Sequence, residues 1–244
     1  MKSPSYSSGK LTREPTPNAL VNQTMVFVEK ELPSWRDDKT RKYAEAEEAL
    51  NAQLCKYLND RGRDHFPMAV FHHEERQGTK RRVDLSANPS SKAIKAAVYE
   101  SIYEPFLVME GKRLPTPTKA REREYLTGFA DESGGIQRYR MCLHGKGMKI
   151  AMLIAYVQSG EAKDWHTPIN GWVKTLKTSG EDKSCKWTTA DALGKITHDG
   201  KKNACHCQSS HKRSDGEPDI KLVHLWICMP PKPSKKKTTK GSTV

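Results

Sequence analysis

The sequence predicts an α/β domain in which a mixed β-sheet is flanked by helices. Three observations carry that expectation. Apolar residues recur at helical spacing between Asp38 and Asn59. Several short apolar runs have the length of strands rather than helices. Helical and extended segments also alternate along the chain, in the order helix, strands, helix, strand, helix, strand, and that order builds a sheet with helices on its faces.

Residues 1–18, rich in Ser, Pro, Thr and Lys and without periodicity, read as a flexible arm. A domain over 19–229 follows, opened by Met25–Val28 as a short packed element. Tyr43, Leu50, Leu54, Tyr57 and Leu58 set the apolar stripe of the 38–59 helix, which Arg61-Gly62 should end. Pro67–His72 and Arg81–Leu85 are strand candidates joined by a polar turn over Glu74–Lys80. Asn88–Ser91 breaks the chain, and 93–103 fits helix or strand equally. Phe106–Met109 is a buried strand stopped by Pro115 and Pro117. Residues 119–145 have mostly helical composition, interrupted at Gly134-Gly135. Lys149–Val157 should be a central strand and 165–177 a helix. The polar, glycine-spotted stretch 179–219 reads as a long irregular insertion, before a last strand at Lys221–Ile227 and a basic tail over 230–244.

Composition narrows the function. The chain has 244 residues, with 42 Lys and Arg against 29 Asp and Glu, a formal charge of +13. Five of those lysines fall in the last 13 residues, so the body stays basic without them. A polyanion is the default partner for such a protein. The longest apolar run, Ile150–Val157, is eight residues, far below a membrane span. With no secretory leader pattern at the N-terminus, a cytoplasmic protein with reduced thiols is expected. Aromatic residues make up only 7% and form no stacking motif, which favours DNA over RNA as the polyanion.

The chemistry concentrates at Glu110-Gly111-Lys112. An acid and a lysine two positions apart share one face of a strand, and four apolar residues precede them, so both should emerge where that strand reaches an edge. Asp84 closes the preceding strand, 26 residues earlier. If the two strands are neighbours, Asp84 and Glu110 can share one cation. Oxygen ligands suit Mg²⁺ or Mn²⁺, and Lys112 would orient the nucleophile or stabilise developing charge. Glu47 lies three, seven and eleven residues before Leu50, Leu54 and Leu58, on the buried stripe, and is a further acid for the same site. Glu74 and Glu75 are its rivals.

These residues resemble a known signature. Asp84 followed by Glu110-Gly111-Lys112, within the apolar run and basic exit of Phe106–Pro115, is similar to the Asp…(Asp/Glu)-x-Lys pattern of restriction-endonuclease-like, or PD-(D/E)xK, nucleases; Val83 stands where that family often has Pro. Gly135–Tyr139 and Ala155–Gln158 resemble later segments of uncharacterised bacterial members. The resemblance implies a restriction-endonuclease-like sheet and a Mg²⁺-dependent hydrolase cutting phosphodiester bonds in nucleic acid. It also implies catalytic and metal-binding roles for Glu47, Asp84 and Glu110, with Lys112 at the attacking water.

Arg81, Arg82, Arg113 and Lys119 flank the acids as phosphate contacts, joined by Arg138 and by Gln158. A nuclease fold that binds without cutting, a homo-oligomer, or an antiviral-defence effector docking a partner protein through 179–219 are the other expectations. His144-Gly145-Lys146-Gly147 lacks the spacing of a phosphate loop. Cys185, His198, Cys205, His206, Cys207 and His211 raise structural zinc, but Cys-x-Cys is not the usual knuckle and no Cys-x-x-Cys accompanies it, which argues against that metal.

Overall fold

The computed structural model describes residues 16–77, 81–214 and 216–231. Among them is a seven-stranded mixed sheet formed by β1 (Ala69–Gln77), β2 (Arg81–Pro89), β3 (Leu107–Leu114), β4 (Ile150–Val157), β5 (Thr197–Asp199), β6 (Ala204–His211) and β7 (Ile220–Cys228). Their spatial order is β1-β2-β3-β4-β7-β6-β5. The central β3, β4 and β7 run parallel, and antiparallel pairs complete both sides. The α/β class with helices on a mixed sheet is therefore present.

The pleat of β4 explains why its sequence is apolar throughout. Met152, Ile154 and Tyr156 pack on one face against α1 (Pro17–Arg36) and α2 (Glu47–His65), while Ala151, Leu153, Ala155 and Val157 face Ile136 of α4 (Gly135–Arg140) and Ile169, Val173 and Leu176 of α5 (His166–Ser179). A strand buried on both faces has no polar side to show. A short α3 (Ser91–Lys95) is capped by the Ser90 hydroxyl, which accepts from the backbone N–H of Lys92 and Ala93.

Several sequence expectations shift. Met25–Val28 belongs to a 20-residue helix that begins within the proposed arm. Thr16 caps it, Pro17 pre-sets its first turn, and Leu20, Thr24, Phe27, Val28, Glu31, Leu32 and Trp35 form its buried stripe. The rest of the arm, residues 1–15, and the tail from 232 onward lie outside the described residues. The second helix starts at Glu47 rather than Asp38 and passes through Gly62 to His65; Pro67, not Gly62, stops it. Glu74–Gln77 is strand, not turn, and β2 runs on to Pro89; residues 78–80 lie outside the described set. Within 119–145 the structure holds two single 3₁₀ turns and the six-residue α4, far less helix than composition suggested. The largest correction is in 179–219, where β6 is a full eight-residue strand paired along β7.

The polar character of β6 has a physical reason. Its inward residues include Ser209 and His211, which join a buried hydrogen-bond chain: Trp226 Nε1 to Tyr125 Oη (2.8 Å), Tyr125 Oη to His224 Nδ1 (2.7 Å), His224 Nε2 to Ser209 Oγ (2.7 Å), Ser209 Oγ to His211 Nε2 (2.6 Å), and His211 Nδ1 to Asp191 Oδ1 (2.9 Å). An indole N–H can only donate and a carboxylate can only accept. The two ends therefore fix every donor between them, with Nε2–H on His224 and Nδ1–H on His211. Burial depresses both histidine pKa values, so both rings are neutral and each has one donor and one acceptor nitrogen. Ser209, His211 and Asp191 stand in the order of a hydrolytic triad, but Ser209 is 5% exposed and its oxygen is also held by His224, so the group ties β6 to the core. Ser209→Ala strands one nitrogen of each ring and should destabilise the protein by about 2–4 kcal/mol in urea unfolding; a loss below about 0.5 kcal/mol would show that the chain does not hold the core.

Candidate active site

A close approach between α2 and β3 builds the site. A Cβ on Gly111 would lie 2.1 Å from Asn51 Oδ1, so only glycine fits between Glu110 and Lys112. Asn51 is fixed in turn by the Tyr156 hydroxyl, which donates to Oδ1 at 2.7 Å. Glu47 sits four residues before Asn51, one helical turn away on the same face. Seating Asn51 on Gly111 thus carries the Glu47 carboxylate to the exit of β3, where Oε1 accepts from Lys112 Nζ (3.1 Å) and Oε2 from the Arg113 backbone N–H (3.1 Å).

Asp84 reaches the same place across the sheet. β2 and β3 pair antiparallel over Leu85–Ala87 and Met109–Leu107, and continuing that register sets Asp84 opposite Glu110. There the Gly111 N–H is bonded by Asp84 Oδ2 at 2.8 Å. Glu47, Asp84, Glu110 and Lys112, assembled in the sequence from three separate segments, are together in space.

The expectation that Glu110 and Lys112 leave the sheet at an edge needs correction. Both lie within β3, beside central β4, with Glu110 at 0% and Lys112 at 3% exposure. Ionised groups survive at such depth only when paired. Lys112 Nζ meets Glu110 Oε1 at 3.0 Å, Arg138 Nη1 bonds the same oxygen, and His144 Nδ1 stands 3.0 Å from Oε2. The His144 contact lies off the hydrogen-bonding direction, so Oε2 and Nδ1 are both buried without a hydrogen bond.

The electrostatics follow from this packing. Burial works to raise the Glu110 pKa, but Lys112, His144 and Arg138 outweigh it and hold the carboxyl well below the ordinary range. Burial would discharge Lys112, yet Glu110, Glu47 and Asp84 raise its pKa above that of a free lysine, so it is a cation and not a base. Asp84 goes the other way. Burial first, then the Glu110 and Glu47 charges, raise it to about 7 against the opposing pull of Lys112 and the Gly111 N–H. Two neighbouring acids with pKa values driven apart are a common property of hydrolytic centres.

The remaining sequence candidates divide. Arg138 is at the site, on Glu110 itself rather than out at the surface. Arg113 flanks it through its backbone, while its guanidinium bonds the Glu45 carbonyl (3.0 Å). Gln158 is not at the site; its amide also bonds the Glu45 carbonyl (2.8 Å), which fixes the approach to α2. Arg81 and Arg82 are paired with Glu132 and Glu74, so the proposed phosphate contacts are already partnered by acids. Lys119 is exposed on the wall of a cleft of about 550 Å³ that also holds Glu122, Glu124 and Asp131. Tyr139 is core, donating to the Met152 carbonyl.

His144 was missed by sequence reasoning. Its only signal was a buried-type histidine in a glycine-flanked turn, where Cys142, Gly145 and Gly147 all adopt positive φ. The Cys/His segment forms no common centre. Cys205 and Cys207 lie inward on β6, where burial pushes their thiols up to about 11 and about 12; His206 faces Glu29, His198 is exposed, and His211 belongs to the buried chain.

Among the described residues no three His, Cys, Asp or Glu side chains are gathered as they stand to hold a metal ion. Magnesium, however, is commonly bound through one or two carboxylates, with waters and substrate phosphates completing its shell. Asp84 and Glu110 supply such a pair, Glu110 Oε2 is a buried oxygen without a hydrogen bond, and a cation would offset the burial and the neighbouring acid charges that raise Asp84. The donor chemistry fits Mg²⁺ or Mn²⁺.

If the Glu110–Lys112 pair holds the site, Lys112→Met should cost about 3–5 kcal/mol by leaving Glu110 buried with less compensation. Adding Glu110→Gln should recover most of that loss in a double-mutant cycle; additive losses would show that the two charges do not depend on each other. No protein-family model, curated protein or solved structure gives a significant match to the chain.

Proposed function

We propose that the protein is a metal-dependent phosphodiesterase acting on nucleic acid, with DNA as the favoured substrate, in the manner of the nucleases its Asp84…Glu110-Gly111-Lys112 pattern resembles. The observation that carries the reading is the meeting of Glu47, Asp84 and Glu110 around one buried, charged lysine at the exit of β3. Three acids gather about Lys112 and Arg138, and with the Asp84 carboxyl still raised to about 7 a further cation would be stabilised among them. The net charge of +13 agrees with a polyanionic substrate.

In this reading Asp84 and Glu110 hold Mg²⁺ or Mn²⁺, with Glu47 beside them. The bound ion supplies Lewis-acid polarisation of the phosphoryl group and a more acidic water. Lys112, fixed as a cation, stabilises negative charge that develops on the phosphate. Glu47 positions the Lys112 ammonium and, through the Arg113 N–H, the end of β3. Arg138 is 23% exposed in its side chain and is the basic group best placed to pass from Glu110 to an incoming phosphate.

One observation favours a second reading. Glu110 is already met by Lys112, Arg138 and His144. A chain that binds nucleic acid on the same fold without cutting would keep such a closed arrangement. Plasmid, linear and single-stranded DNA incubated with Mg²⁺, with Mn²⁺ and with chelator separate the two. The nuclease reading expects metal-dependent cleavage that falls at least 100-fold in Glu110→Gln, Lys112→Met and the less buried Asp84→Asn, with the last still folded by circular dichroism. Binding without cleavage under every metal condition selects the second reading, and full activity in Asp84→Asn refutes the site.

A further inference from the structure

A second cleft, of about 620 Å³, opens between α4 and β6 and is lined by Arg140, Lys186, Lys212 and Arg213 among its residues, with Asp191 and Asp219 as its acids. It is distinct from the candidate active site. Arg138 and Arg140 are two residues apart on α4, so they leave the helix on different sides: Arg138 goes to Glu110 and Arg140 to this cleft.

The cleft has donors left over. Arg140 is 7% exposed, its guanidinium lies 4.9 Å over the Trp187 ring, and Nη2 donates to the Lys186 carbonyl at 2.6 Å. Its Nη1 is buried without a hydrogen bond, 3.4 Å from Asp191 Oδ2 but outside bonding geometry. Arg213 is similar: Nη1 and Nη2 donate to the carbonyls of Met148 and Gly145, and the buried Nε has no partner. Two guanidiniums locked in place, each with an unsatisfied N–H, are costly unless an acceptor completes them. Of the cleft's two carboxylates, Asp191 pairs with Arg140 only at 3.4 Å because its oxygens are taken by His211, the Thr188 backbone N–H and the Thr188 hydroxyl, and Asp219 is exposed. Lys186 and Lys212 are exposed at the rim, and the described lining carries four cations against two carboxylates.

We propose that this cleft binds a small phosphate-bearing molecule of nucleotide size. Rigid, partly satisfied arginines recognise a planar or tetrahedral oxyanion, and the rim lysines add attraction without fixed geometry. The volume lies within the range of small-molecule sites. A metal is excluded by the donor set, which is cationic. The proposal does not depend on the nuclease reading.

Calorimetric titration of the full-length protein with pyrophosphate, with ATP and with a short DNA oligonucleotide tests it, all with chelator present so that no metal-bridged phosphate is read. Submillimolar binding of pyrophosphate or ATP is expected. It should weaken at least tenfold in the rim double variant Lys186→Gln/Lys212→Gln, and similarly in Arg213→Gln, while Glu47→Gln at the other site binds as the wild type does. Because the rim lysines are exposed, the double variant should fold whatever becomes of Arg213→Gln. Absence of binding, equal affinity in the rim variant, loss in Glu47→Gln, or binding of the oligonucleotide alone would each overturn the assignment.

Discussion

The Glu110–Lys112 pair is the constraint around which the rest is arranged. Two charges of opposite sign lie at 0% and 3% exposure on a strand beside the centre of the sheet. Their mutual attraction does not by itself repay the cost of dehydrating both. Additional partners make the balance: Glu47 from the start of α2, Asp84 from β2, Arg138 from α4 and His144 from the turn after it. Each comes from a different segment, so the position of those segments is tied to the site. The glycine between the two charged residues lets Asn51 press against β3, and that contact fixes the height of α2.

Much of this was legible in the sequence because strand periodicity and helical spacing are local properties. The two-residue interval from Glu110 to Lys112 put both on one face, and the 3.6-residue repeat put Glu47 on the stripe of Leu50, Leu54 and Leu58. Those inferences needed no knowledge of partners. The depth of the pair was misjudged for a related reason. Charge argues for an edge unless compensation is known, and Arg138 and His144 compensate from about 30 residues downstream, a separation that no local pattern reports.

The failures elsewhere share that cause. β6 reads Ala-Cys-His-Cys-Gln-Ser-Ser-His, without the apolar alternation of a buried strand, because its inward hydroxyl and imidazole are satisfied by His224 and Asp191 from distant segments. α1 extends well beyond the apolar run Met25–Val28 on both sides, and it carries Pro33 inside it; only one turn follows that proline, so the helix loses little by it. Arg81 and Arg82, expected as phosphate contacts, are paired in the structure with Glu132 and Glu74, two acids from outside their own strand segment that no local pattern reports.

The central claim is that this cluster of acids is a cation site and not only a nest for one lysine. Diffraction from crystals soaked in Mn²⁺, recorded at the manganese absorption edge, reads it directly. The account predicts an anomalous peak bonded to Asp84 and Glu110. A protein that takes up no manganese there, or takes it up only elsewhere, would contradict it.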